Sequence, residues 1–442
     1  MCYYTGMKRD TYKKLLEWKK DPNRQPLLLQ GARQVGKTYL LKEFGQKNYK
    51  QCAYINFEET PGCKSFFELD LKPQRIVKDL SIYLEMKIEP ESTLIIFDEI
   101  QESPNALTSL KYFCENAPEY HVVAAGSLLG VKLSKAKGFP VGKVHFLNLY
   151  PMSFFEFLDA VNKPLLRTML EDIKTIIPIQ EPHHIQLIEL LKIYFYVGGM
   201  PKPVLRYVET EDLIKVRETQ DDILKAYMQD FAKHAPPILV MKITHIWESI
   251  PIHLGKENKR FVFTAIKKSA RAREYEEAIQ WLLDAELIYK VASITAPRLP
   301  LSSYDDLEAF KVYLLDVGLL GAMCRLPGRV ILEGDQLFVE FKGSLTENYV
   351  AQGLKTAKGG VLYYWKSEKD AEVDFLLEHD GEIFPLEVKS GISSKKKSLL
   401  VYKEKYKPRL ISRTSLMNLK QDGNCCNYPL YLIGSFPIST AE

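Results

Sequence analysis

The residues best placed to do chemistry are Gly31-Ala32-Arg33-Gln34-Val35-Gly36-Lys37-Thr38, which fit the spacing G-x-x-x-x-G-K-[ST]. Gly31 and Gly36 let the backbone curl so that successive N–H groups face phosphate oxygens, and a helix starting at Lys37 points its positive end at the same spot. In such a loop Lys37 reaches the β- and γ-phosphates, and the Thr38 hydroxyl binds Mg²⁺. A second piece follows at Asp98-Glu99, the end of the apolar run Thr93-Leu94-Ile95-Ile96-Phe97. Asp98 is expected to hold the Mg²⁺ shell and Glu99 to orient or deprotonate the attacking water. Ser127, after the next apolar run, stands where a polar residue can sense the γ-phosphate; a plain strand-ending turn is the alternative. No Asn-Lys-x-Asp pattern for reading guanine is found, so ATP is preferred to GTP.

A second candidate lies near the C-terminus, in Glu372 to Lys389 around the turn Asp380-Gly381. With those two residues as the loop, Asp374 falls opposite Glu387 and Glu372 opposite Lys389. Asp374, Glu387 and Lys389 then share a face. Directly opposed carboxylates repel, and a cation between them relieves the repulsion; a divalent metal is the cation expected. Asp374 and Glu387 to hold Mg²⁺, Lys389 to orient water, and Glu347 on the preceding helix to complete the set make up a metal-dependent phosphodiesterase site. The competing reading is an exposed polar hairpin, with Lys389 paired to Glu372 or Glu387. From Lys389 to Lys420 there are ten Lys or Arg against the single Glu404, which suits a phosphate backbone or a solvated basic face. Lys267, Lys268, Arg271 and Arg273 carry the same two alternatives.

These residues need elements to hold them. Strands are expected at Leu27–Gln30, Ala53–Phe57, Leu94–Phe97 and Val122–Ala125, apolar on both faces and so suited to a parallel, doubly wound sheet. A helical region over 151–235 leads into the breaker Gly198-Gly199-Met200-Pro201. Helices around Ile246 and Tyr275 to Leu283, followed by Leu287 to Val291, suggest a winged helix-turn-helix within 236–335. Residues 336–442 read as a separate α/β domain with a helix from Ser344, and 1–150 as the nucleotide-binding domain.

The length of 442 residues fits several domains, and 46% apolar with 26% charged residues is ordinary for a globular chain. The net charge of +4 confines any nucleic-acid argument to local patches. Seven scattered cysteines without CxxC spacing speak against structural zinc and a disulfide framework, and no apolar run reaches a membrane span. A cytoplasmic, reduced setting is expected.

Taken with Ala125-Gly126-Ser127, Leu149 to Phe157, Gly198 to Pro201 and Glu387-Val388-Lys389-Ser390-Gly391, the two motifs resemble prokaryotic AAA-type ATPases of the branch related to archaeal ATPases and helicase-loader-like proteins. The resemblance implies ATP and Mg²⁺ at Lys37, Thr38, Asp98 and Glu99. It also implies a C-terminal domain similar to the PD-(D/E)xK nuclease fold, of restriction-endonuclease type, carrying Glu347, Asp374, Glu387 and Lys389. One departure is Gly142-Lys143, where members often carry Gly-Arg. DNA, a protein partner and a second copy of the chain are the partners left open. The function expected is ATP hydrolysis coupled to a DNA-binding or nuclease-like domain, or an ATP-driven switch whose C-terminal domain binds without cutting.

Overall fold

The computed structural model describes residues 7–127, 142–256, 259–266, 271–327, 342–367, 371–391 and 397–438. The chain forms two compact units. One comprises Lys8–Tyr150 with the short stretch Asp284–Glu286, the other Pro151–Leu283 and Leu287–Glu442 with Met1–Met7.

In the first unit, β1 (Leu27–Gln30), β2 (Gln51–Asn56), β3 (Thr93–Asp98), β4 (His121–Ala125) and β5 (His145–Asn148) form a sheet of order β2-β3-β4-β1-β5. Every neighbouring pair is parallel. β3 and β4 are buried along their whole length, as strands covered on both faces must be. The edge strand β5 lacked an apolar run to announce it, because only Leu147 of its residues is buried. One core of the unit stacks Phe57, Phe67, Phe97 and Phe113 edge-on or tilted against one another, with Ile76, Leu80 and Leu110. The helix Pro104–Asn116 starts cleanly because Pro104 fits its first turn and Ser103 Oγ accepts the Ala106 N–H at 3.4 Å.

In the second unit, helices Glu181–Val197, Pro201–Thr210, Leu213–His234, Pro237–Leu254 and Ala272–Asp284 lead to β6 (Ile288–Ile294) and β7 (Asp305–Leu314). The breaker behaves as read: Gly198 ends its helix at φ 75°. Its neighbour Gly199 offers its carbonyl to the Met152 N–H at 2.6 Å, in a space where a Cβ would lie 2.1 Å from the Met152 oxygen. The remaining strands are β8 (Leu362–Lys366), β9 (Glu372–His379), β10 (Glu382–Val388), β11 (Ile411–Ser415), β12 (Lys420–Asp422) and β13 (Cys425–Pro429).

All of these join one eight-stranded sheet, of order β12-β13-β11-β10-β9-β8-β6-β7. The strands on either side of the expected boundary near 335 share this sheet. The strand after Ala272–Asp284, read as part of a winged helix-turn-helix, extends this sheet, because β6 pairs in parallel with β8 through Val291↔Leu362 to Ile294↔Trp365. Leu287 to Val291 is apolar enough for a buried strand in either arrangement, and only its long-range partner distinguishes them. Lys267 and Lys268 lie outside the described residues, as do Lys395 and Lys396.

Candidate functional site

The phosphate loop joins β1 to the helix Lys37–Asn48. Its curl uses three left-handed residues: Gly31 at φ 150°, Gln34 at φ 66° and Gly36 at φ 96°. Gly31 is also required by space, since a Cβ there would meet the Leu149 carbonyl oxygen at 2.3 Å. Ala32 and Val35 are buried beneath the loop. Arg9, buried and far away in sequence, donates to the Val35 carbonyl at 2.8 Å and to the Tyr150 carbonyl at 2.6 Å, tying the loop to the end of the unit. Sequence reading missed Arg9, and nothing in its local pattern distinguishes it from the basic residues of the helix Thr11–Lys20 that follows it.

Lys37 is only 6% exposed and donates to the carbonyls of Gly31 at 2.7 Å and Ala32 at 2.9 Å. Burial pulls its pKa down from 10.5 to about 8, against the raising influence of the Glu99 and Asp98 carboxylates. Thr38 Oγ1 donates to Asp98 Oδ2 at 2.7 Å, so the hydroxyl and the carboxylate expected to share a Mg²⁺ shell are already side by side. The same Oδ2 accepts from the Tyr54 hydroxyl at 2.9 Å, and Oδ1 accepts the Glu99 N–H at 3.1 Å. These residues fit both groups: a donor-lined curl with an ammonium for a triphosphate, and a hydroxyl beside a buried carboxylate for magnesium.

Glu99 sits at φ 48°, an uncommon backbone for a non-glycine residue. Its Oε2 accepts from Gln101 Nε2 and from Ser127 Oγ, the latter at 3.3 Å, while Arg33 Nε donates to Ser127 Oγ at 3.2 Å. The chain Arg33–Ser127–Glu99–Gln101 therefore fixes the carboxylate at the end of β3. Ser127 falls where the sequence reading put it, and Arg33 serves through its side chain as well as its backbone. Tyr54 and Gln101 were not assigned roles from sequence. Lys143, standing where a Gly-Arg was looked for, pairs with Glu115 at 3.2 Å and is partly exposed.

In the second unit the hairpin register is the expected one from Glu382↔His379 to Leu386↔Phe375. Beyond that it changes. Asp374 Oδ2 accepts the Val388 N–H at 2.7 Å, and the Lys389 N–H turns to Thr414 of β11 at 2.9 Å. Glu372, expected opposite Lys389, is paired with Lys366 on β8 and bonded to Lys311. Lys389 pairs with Glu387 at 2.8 Å. The face is not an exposed one: Glu387 is 4% and Glu347 7% exposed.

The cation among these carboxylates is Lys311 of β7. Its side chain is 1% exposed; it is hydrogen-bonded to Glu372 and lies 3.9 Å from both Glu347 Oε2 and Asp374 Oδ1. Lys259 bonds Glu347 Oε1, and the Tyr313 hydroxyl donates to Oε2 at 2.9 Å. Burial lowers the pKa of Lys311, but Glu347, Asp374 and Glu372 together outweigh it and hold the lysine above its ordinary value. Burial and the repulsion of Glu347 push Asp374 up to about 7 despite Lys311, whereas Lys259 and Lys311 keep Glu347 below its usual value against its burial. Glu387 Oε2 is buried without a hydrogen-bond partner. The structure thus brings Glu347 and Asp374 together around an ammonium and pairs Glu387 with Lys389. Among the described residues no group of three His, Cys, Asp or Glu is arranged to hold a metal ion. The trio Glu347, Asp374 and Glu387 expected to bind Mg²⁺ does not fit that ion in this arrangement.

Residues 23–158 match the family described as an AAA domain, so the five-stranded unit with its phosphate loop carries an AAA-type P-loop ATPase domain. Residues 188–329 and 342–432 match two families described as domains of unknown function, DUF8612 and DUF4143. No curated protein matches the chain. Among solved structures, the Walker-type ATPase PABY2304 of Pyrococcus abyssi is 14% identical, covering 72% of this chain and 95% of its own, with a TM-score of 0.43. The Aeropyrum pernix ORC1 protein in complex with DNA is 13% identical over 73% and 93%, with a TM-score of 0.31. AMPPCP-bound DnaA from Aquifex aeolicus is 14% identical over 63% and 87%, at 0.29. No helix among the described residues is long and apolar enough to cross a membrane.

Proposed function

We propose that the chain binds and hydrolyses ATP with Mg²⁺ and uses the cycle as a switch acting on its C-terminal α/β module, which binds a partner without cutting it. The observation that carries the ATPase reading is the joined geometry of Thr38, Asp98 and Glu99, a hydroxyl and two carboxylates assembled at the mouth of a curled, donor-lined loop. Lys37 and the loop N–H groups grip the triphosphate, and Thr38 with Asp98 hold Mg²⁺, which when bound neutralises charge on the phosphates. Glu99 orients the attacking water and takes its proton, held for that task by Gln101 and Ser127. Ser127, bonded also to Arg33, lets Glu99 sense the γ-phosphate.

Lys311 favours the non-cutting module over the nuclease reading, since the charge expected from a metal is supplied by a side chain. Lys397, Lys405, Lys407 and Arg409 form an exposed basic arc after β10, which supports double-stranded DNA as the partner class. The test is Mg²⁺-dependent phosphate release by the full chain. Glu99→Gln is expected to retain ATP and lose turnover by about 10²–10⁴-fold; unchanged turnover overturns the assignment. Added DNA is expected to alter turnover without being cleaved. Cleavage that Lys389→Ala abolishes would restore the nuclease reading.

A further inference from the structure

The carboxylate set in the eight-stranded sheet has the composition of a divalent-ion site but not its occupant. Glu347 comes from the helix Lys342–Lys358, Glu372 and Asp374 from β9, and Glu387 from β10, and that helix packs on β7, β8 and β10. So many buried or half-buried carboxylates repel one another unless a cation stands among them. Among the described residues, the ammonium that reaches three of them is that of Lys311, fully buried and close to Glu347, Glu372 and Asp374. A second and independent observation is Glu387 Oε2, buried beside this group and left without a partner. Asp374 Oδ2 accepts the N–H of Val388, the residue after Glu387, so an oxygen with spare coordinating capacity borders the set.

We infer that Lys311 is the resident cation of this carboxylate set, an internal ammonium seated where a divalent ion would otherwise be held, so that the module works metal-free and the lysine keeps a divalent-ion site closed. A lysine suits the position because its ammonium is a compact point charge on a long stem, able to come from a neighbouring strand and reach carboxylates on three elements. An ammonium donates three hydrogen bonds and polarises no water, so its presence removes Lewis-acid chemistry from a site whose ligands could otherwise support it. The inference rests on the non-cutting reading of the module, but it makes a claim about ion binding that can fail separately.

The test uses the full chain, free of nucleotide, in four forms: wild type, Glu347→Gln, Lys311→Met, and Lys311→Met with Glu347→Gln. Each is titrated with Mn²⁺ by calorimetry and with Tb³⁺ by luminescence, for which Tyr313, bonded to Glu347 at 2.9 Å, is the sensitiser. Lys311→Met is expected to bind one Mn²⁺ at least tenfold more tightly than wild type and to gain melting temperature from it. Both gains should vanish when Glu347→Gln is added. A folded Lys311→Met that binds no Mn²⁺ overturns the inference. Should Lys311→Met fold only with Mn²⁺ present, that dependence supports it. The wild-type arm decides independently of the variant's folding: wild-type Mn²⁺ binding or Tb³⁺ emission that Glu347→Gln alone removes shows that the lysine does not occupy the site. Cleavage of DNA by wild type would bring down the non-cutting reading, and the ion titrations, run without DNA, would still report on Lys311.

Discussion

Lys37 makes ATP binding a proton-linked event. Buried and bonded to the Gly31 and Ala32 carbonyls, it titrates near 8 in the nucleotide-free site, well below its ordinary 10.5. With a folded pKa of 8 and an unfolded value of 10.5, the folded state holds fewer protons at intermediate pH. This group therefore opposes folding by about 3 kcal/mol below pH 8, and the penalty is relieved as pH rises from 8 to 10.5. A triphosphate reverses the situation by placing negative charge on the ammonium. At pH 9 about one-tenth of free sites carry the proton and nearly all ATP-bound sites do, so binding takes up about 0.9 proton; at pH 7 the uptake is about 0.1. MgATP itself is fully ionised at both values, since the terminal phosphate titrates near 6. The apparent affinity is expected to weaken about tenfold from pH 7 to pH 9. Calorimetry in buffers of different ionisation enthalpy measures the uptake directly. In Lys37→Met the uptake at pH 9 should disappear, and the nucleotide-free protein should be more stable than wild type at pH 7 by up to about 3 kcal/mol. An uptake at pH 9 that persists in Lys37→Met would show that another group titrates and that the burial argument is wrong.

Ser127→Ala removes one hydrogen bond to Glu99 Oε2 and leaves that of Gln101 in place, so turnover should fall by roughly fivefold, the worth of about 1 kcal/mol, with ATP affinity nearly unchanged. Arg9→Ala cuts two charge-assisted bonds to the back of the loop, and ATP affinity measured by a fluorescent analogue should drop by about tenfold or more although Arg9 stays remote from the phosphates. Asp316 accepts from the Gly199 N–H at 2.6 Å and the Leu319 N–H at 3.0 Å, and burial lifts its pKa from 3.8 to about 6. A carboxyl raised on folding adds stability that is complete below pH 3.8 and is lost as pH rises through 6. Urea denaturation of wild type relative to Asp316→Asn should therefore shift by about 2 kcal/mol against the wild type between pH 4 and pH 7.

The nucleotide site was legible because its parts are local. The loop, the strand before it and the helix after it occupy 27–48 without interruption, and β3 announces its acidic end by an apolar run. The residues that tune the site were hidden for the opposite reason. Arg9 reaches Tyr150 across 141 positions, and Tyr54 meets Asp98 across 44, distances over which a pattern in the sequence has no period to display.

The hairpin illustrates the same limit more sharply. Its turn and five cross-strand pairs follow from Asp380-Gly381 alone, and so does the prediction that opposed carboxylates require a positive charge. What the turn cannot say is where the charge comes from. The cation arrives from β7, 61 residues before Glu372, on a strand whose own sequence reads as belonging to a different module. β7 is brought to the carboxylates by joining the same sheet as β8 to β13, so the topology that links the strands on either side of residue 335 also delivers the ammonium. A substitution that detaches β7 from β6 should expose both consequences together, unbalancing the carboxylates as it frays the sheet.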